Sequence, residues 1–334
     1  MATALVIGGT GQIGRAAVPA LLGDGWHVRV LARHAVDVAG AEVVVGDRAD
    51  PEVLDAALGT GVDVLVDVVA YDDRQAEPLL ARADRIGSAV VVSSAAVYVD
   101  DAGNGFETEE FADFPVPILE DRPTVAPGRD TYATGKVALE QAWAASSVPT
   151  TILRPGAIHG PGCRQPREWT FVKRALDGRD VRVLAYDGES RFHTTSTAVL
   201  GELVRLAAGR PGDRVLNAAD PRALTVAEIS AAVDAVLGVT PSYVMLPGAP
   251  VDDLGATPWA VPRPVVLGMA RAVAELGYVA PGHYEDTVGA CVDWLVDAAS
   301  RGDWRDAFPG FVRMDPDDTY FDYAAEDAFL ARTS

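Results

Sequence analysis

Lysine is almost absent from this chain: of its 28 basic residues only Lys136 and Lys173 are lysine, and the rest are arginine. Arginine serves wherever a permanent, forked cation suffices, so a retained lysine points to work that a compact, titratable ammonium does better. Cysteine is nearly missing too. Cys163 and Cys291 are too few for a disulfide framework, and no Cys/His spacing suggests a metal site. No apolar run approaches the ~20 residues of a membrane helix. An excess of positive charge is lacking as well. The net charge of −20 argues against nucleic acid, because phosphate binding needs clustered cations. The opening Met-Ala-Thr-Ala-Leu-Val-Ile-Gly has no basic n-region and runs directly into a strand pattern. Together these absences lead us to expect a soluble, cytoplasmic protein with no membrane and no nucleic-acid partner.

What is present is enough apolar material for a large core: 49% hydrophobic residues and a mean hydropathy of +0.12 over 334 residues. Strand-like runs fall at Ala4–Gly8, Val28–Ala32, Glu42–Val45, Val62–Val68, Ala89–Ser93 and Thr150–Leu153, with a seventh at Arg214–Asn217. Helical patterns separate the early ones, near 12–23, 51–58, 74–86 and 131–146. Alternating βα units with continuously apolar strands predict a doubly wound Rossmann α/β fold, a parallel sheet of about seven strands. The dinucleotide-binding domain is expected over 1–155, with its late strand near 213–218. After it, 156–334 reads as a smaller, interwoven substrate lobe and C-terminal arm. Residues 98–130 form a long Asp/Glu/Pro/Gly-rich loop of the functional or mobile kind. The last 30 residues mix acids with Trp304, Phe308, Phe311, Tyr320, Phe321 and Tyr323. That arm is either packed by its aromatics or is a lid or dimer contact.

The first strand ends in Gly8-Gly9-Thr10-Gly11-Gln12-Ile13-Gly14 and leads into a helix. Gly8 permits a tight turn, Gly11 lets backbone N–H groups approach a pyrophosphate, and Gly14 lets helix and strand pack closely. The cofactor contacts expected here are Gly8, Thr10, Gly11, Gln12, Ile13 and Gly14. An NAD site usually has Asp or Glu at the tip of the second strand. This chain has Ala32 followed by Arg33 and His34. A guanidinium without an acid suits the 2′-phosphate of NADP(H), which is therefore the expected cofactor, with NAD(H) as the alternative. Asp47 and Arg48 follow the third strand, where a carboxylate can reach an adenine amine. Ala70 after the fourth strand, and Pro155 and Gly156 after the sixth, complete the expected cofactor lining.

The fifth strand runs into Ser93-Ser94-Ala95-Ala96-Val97-Tyr98, placing hydroxyls at the expected cofactor crevice. Tyr132 and Lys136 stand at i, i+4 at the start of a helix, on one face. A phenol beside a fixed cation can ionise below its usual pKa of about 10 and so act as a general acid/base.

In combination, the glycine turn, Asp47, Ser-Ser-x-x-Val-Tyr, Tyr132/Lys136 and the Arg154-Pro155-Gly156 turn resemble the extended short-chain dehydrogenase/reductase family, in its NAD-dependent epimerase/dehydratase branch. The resemblance spans about residues 3–220. It implies that Tyr132 exchanges a proton with the substrate oxygen. Lys136 would hold the nicotinamide ribose and lower the phenol pKa, and Ser94 would orient the substrate oxygen. It also implies a small-molecule substrate, and a homodimer is the assembly its members commonly form. Departures narrow the chemistry. The sugar dehydratases carry an acidic pair where this chain has Ala95 and Ala96, and no Cys stands nearby for GDP-fucose chemistry. Ala157 and Ile158 replace a frequent sugar-nucleotide Asn, and the stretch Ser190–Thr195 lacks the usual acids. Candidate substrate contacts are His159, Arg164, Trp169, Arg191 and His193, each also compatible with core or surface packing. The leading expectation is an NADP(H)-dependent oxidoreductase at a carbonyl/hydroxyl carbon, with no metal. A nucleotide-sugar 4-epimerase using tightly bound cofactor is the runner-up, and a non-catalytic dinucleotide sensor or scaffold is the remote third.

Overall fold

Strand β1 (Thr3–Ile7) lies at the centre of a sheet whose other members follow from the alternation in the sequence. The remaining strands are β2 (His27–Ala32), β3 (Glu42–Val45), β4 (Val64–Asp67), β5 (Ala89–Val92), β6 (Thr150–Pro155), β7 (Ala157–His159), β8 (Val181–Leu184), β9 (Thr194–Ser196), β10 (Arg214–Ala218) and β11 (Ser242–Met245). Seven of them form one parallel sheet in the order β10-β6-β5-β4-β1-β2-β3. This is the doubly wound Rossmann arrangement, and the order reverses on the two sides of β1, where ligands bind beyond the strand ends. The computed structural model describes residues 1–333.

Residues 1–156, 197–219 and 267–281 form the first unit; 157–196, 220–266 and 282–333 form the second. In the first unit the strands are buried on both faces: Leu5, Val6, Leu65, Val66 and Val91 are all inaccessible. Each such side chain contributes about 1.5–3 kcal/mol. Helices α1 (Gly14–Gly23), α2 (Pro51–Leu58), α3 (Asp73–Leu80) and α4 (Tyr132–Ala144) connect the early strands. The helix anticipated over 74–86 is shorter and gives way to a 3-10 turn at Ala83–Arg85.

Helix α4 starts where its cap dictates. Thr131 Oγ1 accepts the Thr134 N–H at 3.3 Å, and Thr134 Oγ1 accepts the Thr131 N–H at 3.1 Å. This reciprocal cap satisfies two end groups that no preceding turn could serve. It makes Tyr132 the first helical residue, with Lys136 one turn in. In the second unit, α5 (Trp169–Leu176) begins three residues after the Pro166 expected in its first turn. Helices α6 (Thr197–Gly209) and α8 (Ala270–Leu276) belong to the first unit. Helices α7 (Val226–Leu237) and α9 (Tyr284–Ser300) belong to the second. The second unit's core gathers Trp169, Phe171, Trp259, Tyr284, Phe308 and Phe311. The aromatics of the C-terminal stretch pack on one another, Trp304 against Phe311 and Phe321, and Phe311 against Tyr320. No helix among the described residues is long and apolar enough to cross a membrane.

Candidate active site

The glycine turn is forced by sterics. Gly8 has φ +87°, and a Cβ there would lie 2.4 Å from Val69 Cγ1. A Cβ on Gly14 would lie 2.3 Å from the Gly8 carbonyl oxygen. Both positions therefore need glycine, and the turn delivers the chain into α1. Gln12 Nε2 is buried in the same turn without a hydrogen-bond partner among the described residues. A helix N-terminus with an unspent amide donor fits a pyrophosphate. Arg33 stands exposed just past β2, and Arg15 is also exposed, its Nε donating to the Thr10 carbonyl at 3.1 Å. Asp47 is exposed and caps the turn after β3 by accepting the Ala49 N–H at 2.8 Å.

Arg48 is held within the protein. Its guanidinium makes a two-pronged pair with Asp67 at 2.8 and 2.7 Å and donates to the Gln75 carbonyl at 2.8 Å. Asp67, fully buried at the end of β4, also accepts the N–H groups of Val69 and Ala70.

Lys136 rests on the next carbonyl along. Lys136 is 5% exposed, and its Nζ donates to the Ala70 carbonyl at 2.6 Å and the Val92 carbonyl at 2.9 Å. Burial pushes this ammonium down to about 8, against the opposing pull of the Asp67 and Glu140 carboxylates. Nζ also lies 5.7 Å from the centre of the Tyr132 ring and 5.4 Å from that of Tyr71. The two rings meet edge-on at 5.9 Å. Tyr132 is 43% exposed, so a phenol open to solvent sits beside a cation that is not. Ser94, half-buried, caps a 3-10 turn at Ala95–Val97 that packs on α4. Its Oγ accepts the Ala96 N–H at 3.1 Å, which leaves the hydroxyl proton for another acceptor.

Tyr98, four residues on, is a contrasting phenol. It is fully buried, donates to Asn217 Oδ1 at 2.6 Å and stacks under Arg154, whose Cζ is 4.8 Å from the ring centre. Burial pushes it up to about 12, and it is closed to solvent where Tyr132 is not. Pro155 closes β6 in a buried position, and the Gly156 N–H donates to the Ala218 carbonyl at 3.3 Å.

The five candidate substrate residues all lie in the second unit. His159 is 1% exposed, with Nε2 2.9 Å from Asp220 Oδ2. Burial works to raise the Asp220 carboxyl, but His159, the Thr194 hydroxyl and the Ser196 N–H outweigh it and hold it at about 2. His193 Nε2 is 2.8 Å from the Asp220 carbonyl, an acceptor only, so that nitrogen carries the proton. Burial lowers the His193 pKa. Trp169 is 2% exposed, packed 4.9 Å from Phe308 between ring centres. Arg191 donates to the Ala223 carbonyl at 2.6 Å. Arg164 is exposed, and its carbonyl accepts the Gly310 N–H at 2.9 Å. The structure thus brings Tyr132, Lys136 and Ala70 together, while His159, His193 and Trp169 are enclosed among other residues of the second unit. Among the described residues no group of three or more His, Cys, Asp or Glu is arranged to hold a metal ion.

Two residues of the site escaped the sequence reading. Tyr71 follows Ala70 directly, and an aromatic just past a strand end at the switch point was the available signal. Asp67 lies inside the apolar run Val62–Val68, and an acid interrupting that run was the signal for it.

Comparison with known proteins agrees with this geometry. Residues 8–183 match a protein family described as NAD(P)H-binding. A ceramide reductase of Caulobacter vibrioides (strain NA1000 / CB15N) is 31% identical over 163 residues, 47% of this chain and 46% of that protein. The match therefore spans a little under half the length of that relative. Among solved structures, the Bordetella bronchiseptica enzyme WbmH in complex with NAD+ superposes with a TM-score of 0.69 at 19% identity, covering 89% of this chain and 99% of that one. A UDP-N-acetylglucosamine 4-epimerase from Bacillus cereus gives 0.67 at 16% identity, covering 87% and 98%. At these identities the likeness establishes the shared fold.

Proposed function

Because the chain belongs to the NAD(P)H-binding family, we propose that it is an NADP(H)-dependent oxidoreductase acting at a carbonyl/hydroxyl carbon. The observation that carries the reading is the pairing of an exposed Tyr132 phenol with a buried Lys136 ammonium. Bound NADPH would supply the hydride. The glycine turn and the N-terminus of α1 would hold its pyrophosphate, and Arg33 its 2′-phosphate. Tyr132 gives its proton to the substrate oxygen as negative charge develops there. Lys136, held on two carbonyls, stabilises the phenolate that remains, and Ser94 donates a hydrogen bond to the same oxygen. Near Ser94, Ala95 and Ala96 offer no second acid/base, which favours reduction without elimination.

The fold of nucleotide-sugar 4-epimerases supports a second reading, since such chemistry needs the same Tyr, Ser and Lys and a retained cofactor. The two readings separate in one assay. A reductase oxidises NADPH stoichiometrically with a ketone or aldehyde, whereas an epimerase consumes none. Under the first reading Tyr132→Phe lowers kcat by about 10²–10⁴-fold with binding of NADPH retained. Arg33→Ala weakens NADPH binding, measured by fluorescence, and leaves NADH binding unchanged. Equal loss for both cofactors would remove the NADP assignment.

A further inference from the structure

A partly exposed Arg48 and a fully buried Asp67 form a pair that the reaction above does not use, yet it sits one peptide from Lys136. Asp67 Oδ1 accepts the Val69 N–H at 3.1 Å and the Ala70 N–H at 3.2 Å, while Arg48 grips both carboxylate oxygens. The carbonyl of the same Ala70 takes the shorter of the two Lys136 hydrogen bonds. A continuous path therefore runs from guanidinium to carboxylate, to the Ala70 peptide, to the ammonium, to the Tyr132 ring. We propose that Asp67, pinned by Arg48, is a positioning residue for Lys136: it fixes the carbonyl on which the ammonium rests and supplies the negative charge that balances it. The inference rests on the reading of Lys136 given under Proposed function.

The physical case has a geometric and an electrostatic part. A carboxylate with no solvent exposure is costly unless paired and hydrogen-bonded. Asp67 is both, and it spends its bonds on the loop that carries Ala70 and Tyr71. The charged and titratable groups around Lys136 are Asp67 at the end of β4, Arg48 after β3, Glu140 and Tyr132 on α4, and Tyr71. Glu140, bound by Arg154 at 2.9 and 2.5 Å, also favours the charged lysine, more weakly than Asp67. Asp67 favours the charged lysine and Arg48 disfavours it, so the two should move Lys136 in opposite directions.

The scarcity of lysine makes the test direct. Protein grown with lysine carrying ¹³C at Cε shows two lysine signals, and Lys173→Arg assigns them. In the unaltered protein the Lys136 signal should titrate with a midpoint near 8. Asp67→Asn keeps an oxygen for the Val69 and Ala70 N–H groups but removes the charge, and its midpoint falls by about one pH unit. Arg48→Gln moves the midpoint up. Both variants are first checked for folding by circular dichroism. If Asp67→Asn does not fold, Arg48→Gln decides by rising or not. If neither folds, the double variant decides, with a lower midpoint expected because the pull of Asp67 is the larger. Midpoints that stay in place, or that move in the same direction, overturn the proposal. The signals need neither cofactor nor turnover. Shifted midpoints without any NADPH binding would remove the functional reading and leave the positioning intact. NADPH-dependent turnover with unmoved midpoints would do the reverse.

Discussion

Helix α4 carries two buried charges one turn apart, and the protein treats them in opposite ways. Glu140 is 7% exposed and closed off: Arg154 binds both its oxygens and Ser93 Oγ donates to one of them at 2.5 Å. Lys136 is 5% exposed, but its two hydrogen bonds go to neutral carbonyls, and a solvent-open phenol lies beside it. A bidentate ion pair has its hydrogen-bonding geometry saturated, so it can brace the sheet but has little left to offer a ligand. A cation resting on dipoles keeps its charge and stays near its titration point. Arginine fills the first role here and lysine the second, which accounts for the retention of lysine at this position.

The largest effect should come from opening the closed pair. Arg154→Met leaves Glu140 buried with only the Ser93 hydroxyl, and it should cost about 3–5 kcal/mol in urea denaturation. Pairing it with Glu140→Leu should recover most of that loss. If the double variant were as unstable as the single, Arg154 would be acting through packing on Tyr98 rather than through charge. The Lys136 end should respond to pH instead. Its ordinary value of 10.5 is pushed down to about 8 by burial. Below pH 8 both folded and unfolded chains hold the proton, and the folded state bears the full cost of a buried ammonium. Between 8 and 10.5 the unfolded chain binds more protons, so stability rises with pH by up to about 3 kcal/mol from this group. In Lys136→Met that rise disappears, which thermal melts at pH 7 and pH 10 would register.

How much of this was legible beforehand follows the range of the interactions. The glycine turn, the apolar strands and the Tyr132–Lys136 spacing are local patterns, and the sheet and the helix start came out where those patterns pointed. The partners that give the site its properties come from far along the chain. Lys136 meets carbonyls 66 and 44 residues away, and Glu140 meets Ser93 47 residues away. Asp67 sits within an apolar run and gave no local sign of its pairing with Arg48, 19 residues before it. His159 beside a Gly-Pro turn looked available for a ligand. Asp220, 61 residues on, is what encloses it. Charge pairing and burial are tertiary facts, and periodicity carries no information about them.

The smallest effect worth measuring tests whether the open end of α4 depends on its cap. Thr131 and Thr134 bind each other's backbone N–H groups and set Tyr132 as the first residue of the helix. Glu107 adds a contact to the Ala133 N–H at 3.3 Å. Thr131→Ala removes one of these bonds and should cost about 1 kcal/mol. The loss falls on the first turn, which holds Tyr132, and hardly reaches Glu140 two turns further in. Hydrogen exchange should therefore quicken at 132–135 while the amides around Glu140 keep their protection. Turnover should fall more than the small stability change implies, since a frayed first turn moves the phenol away from Lys136. Uniform loss of protection along the helix would show instead that its two ends are one cooperative unit, and that the closed ion pair steadies the phenol as much as the cap does.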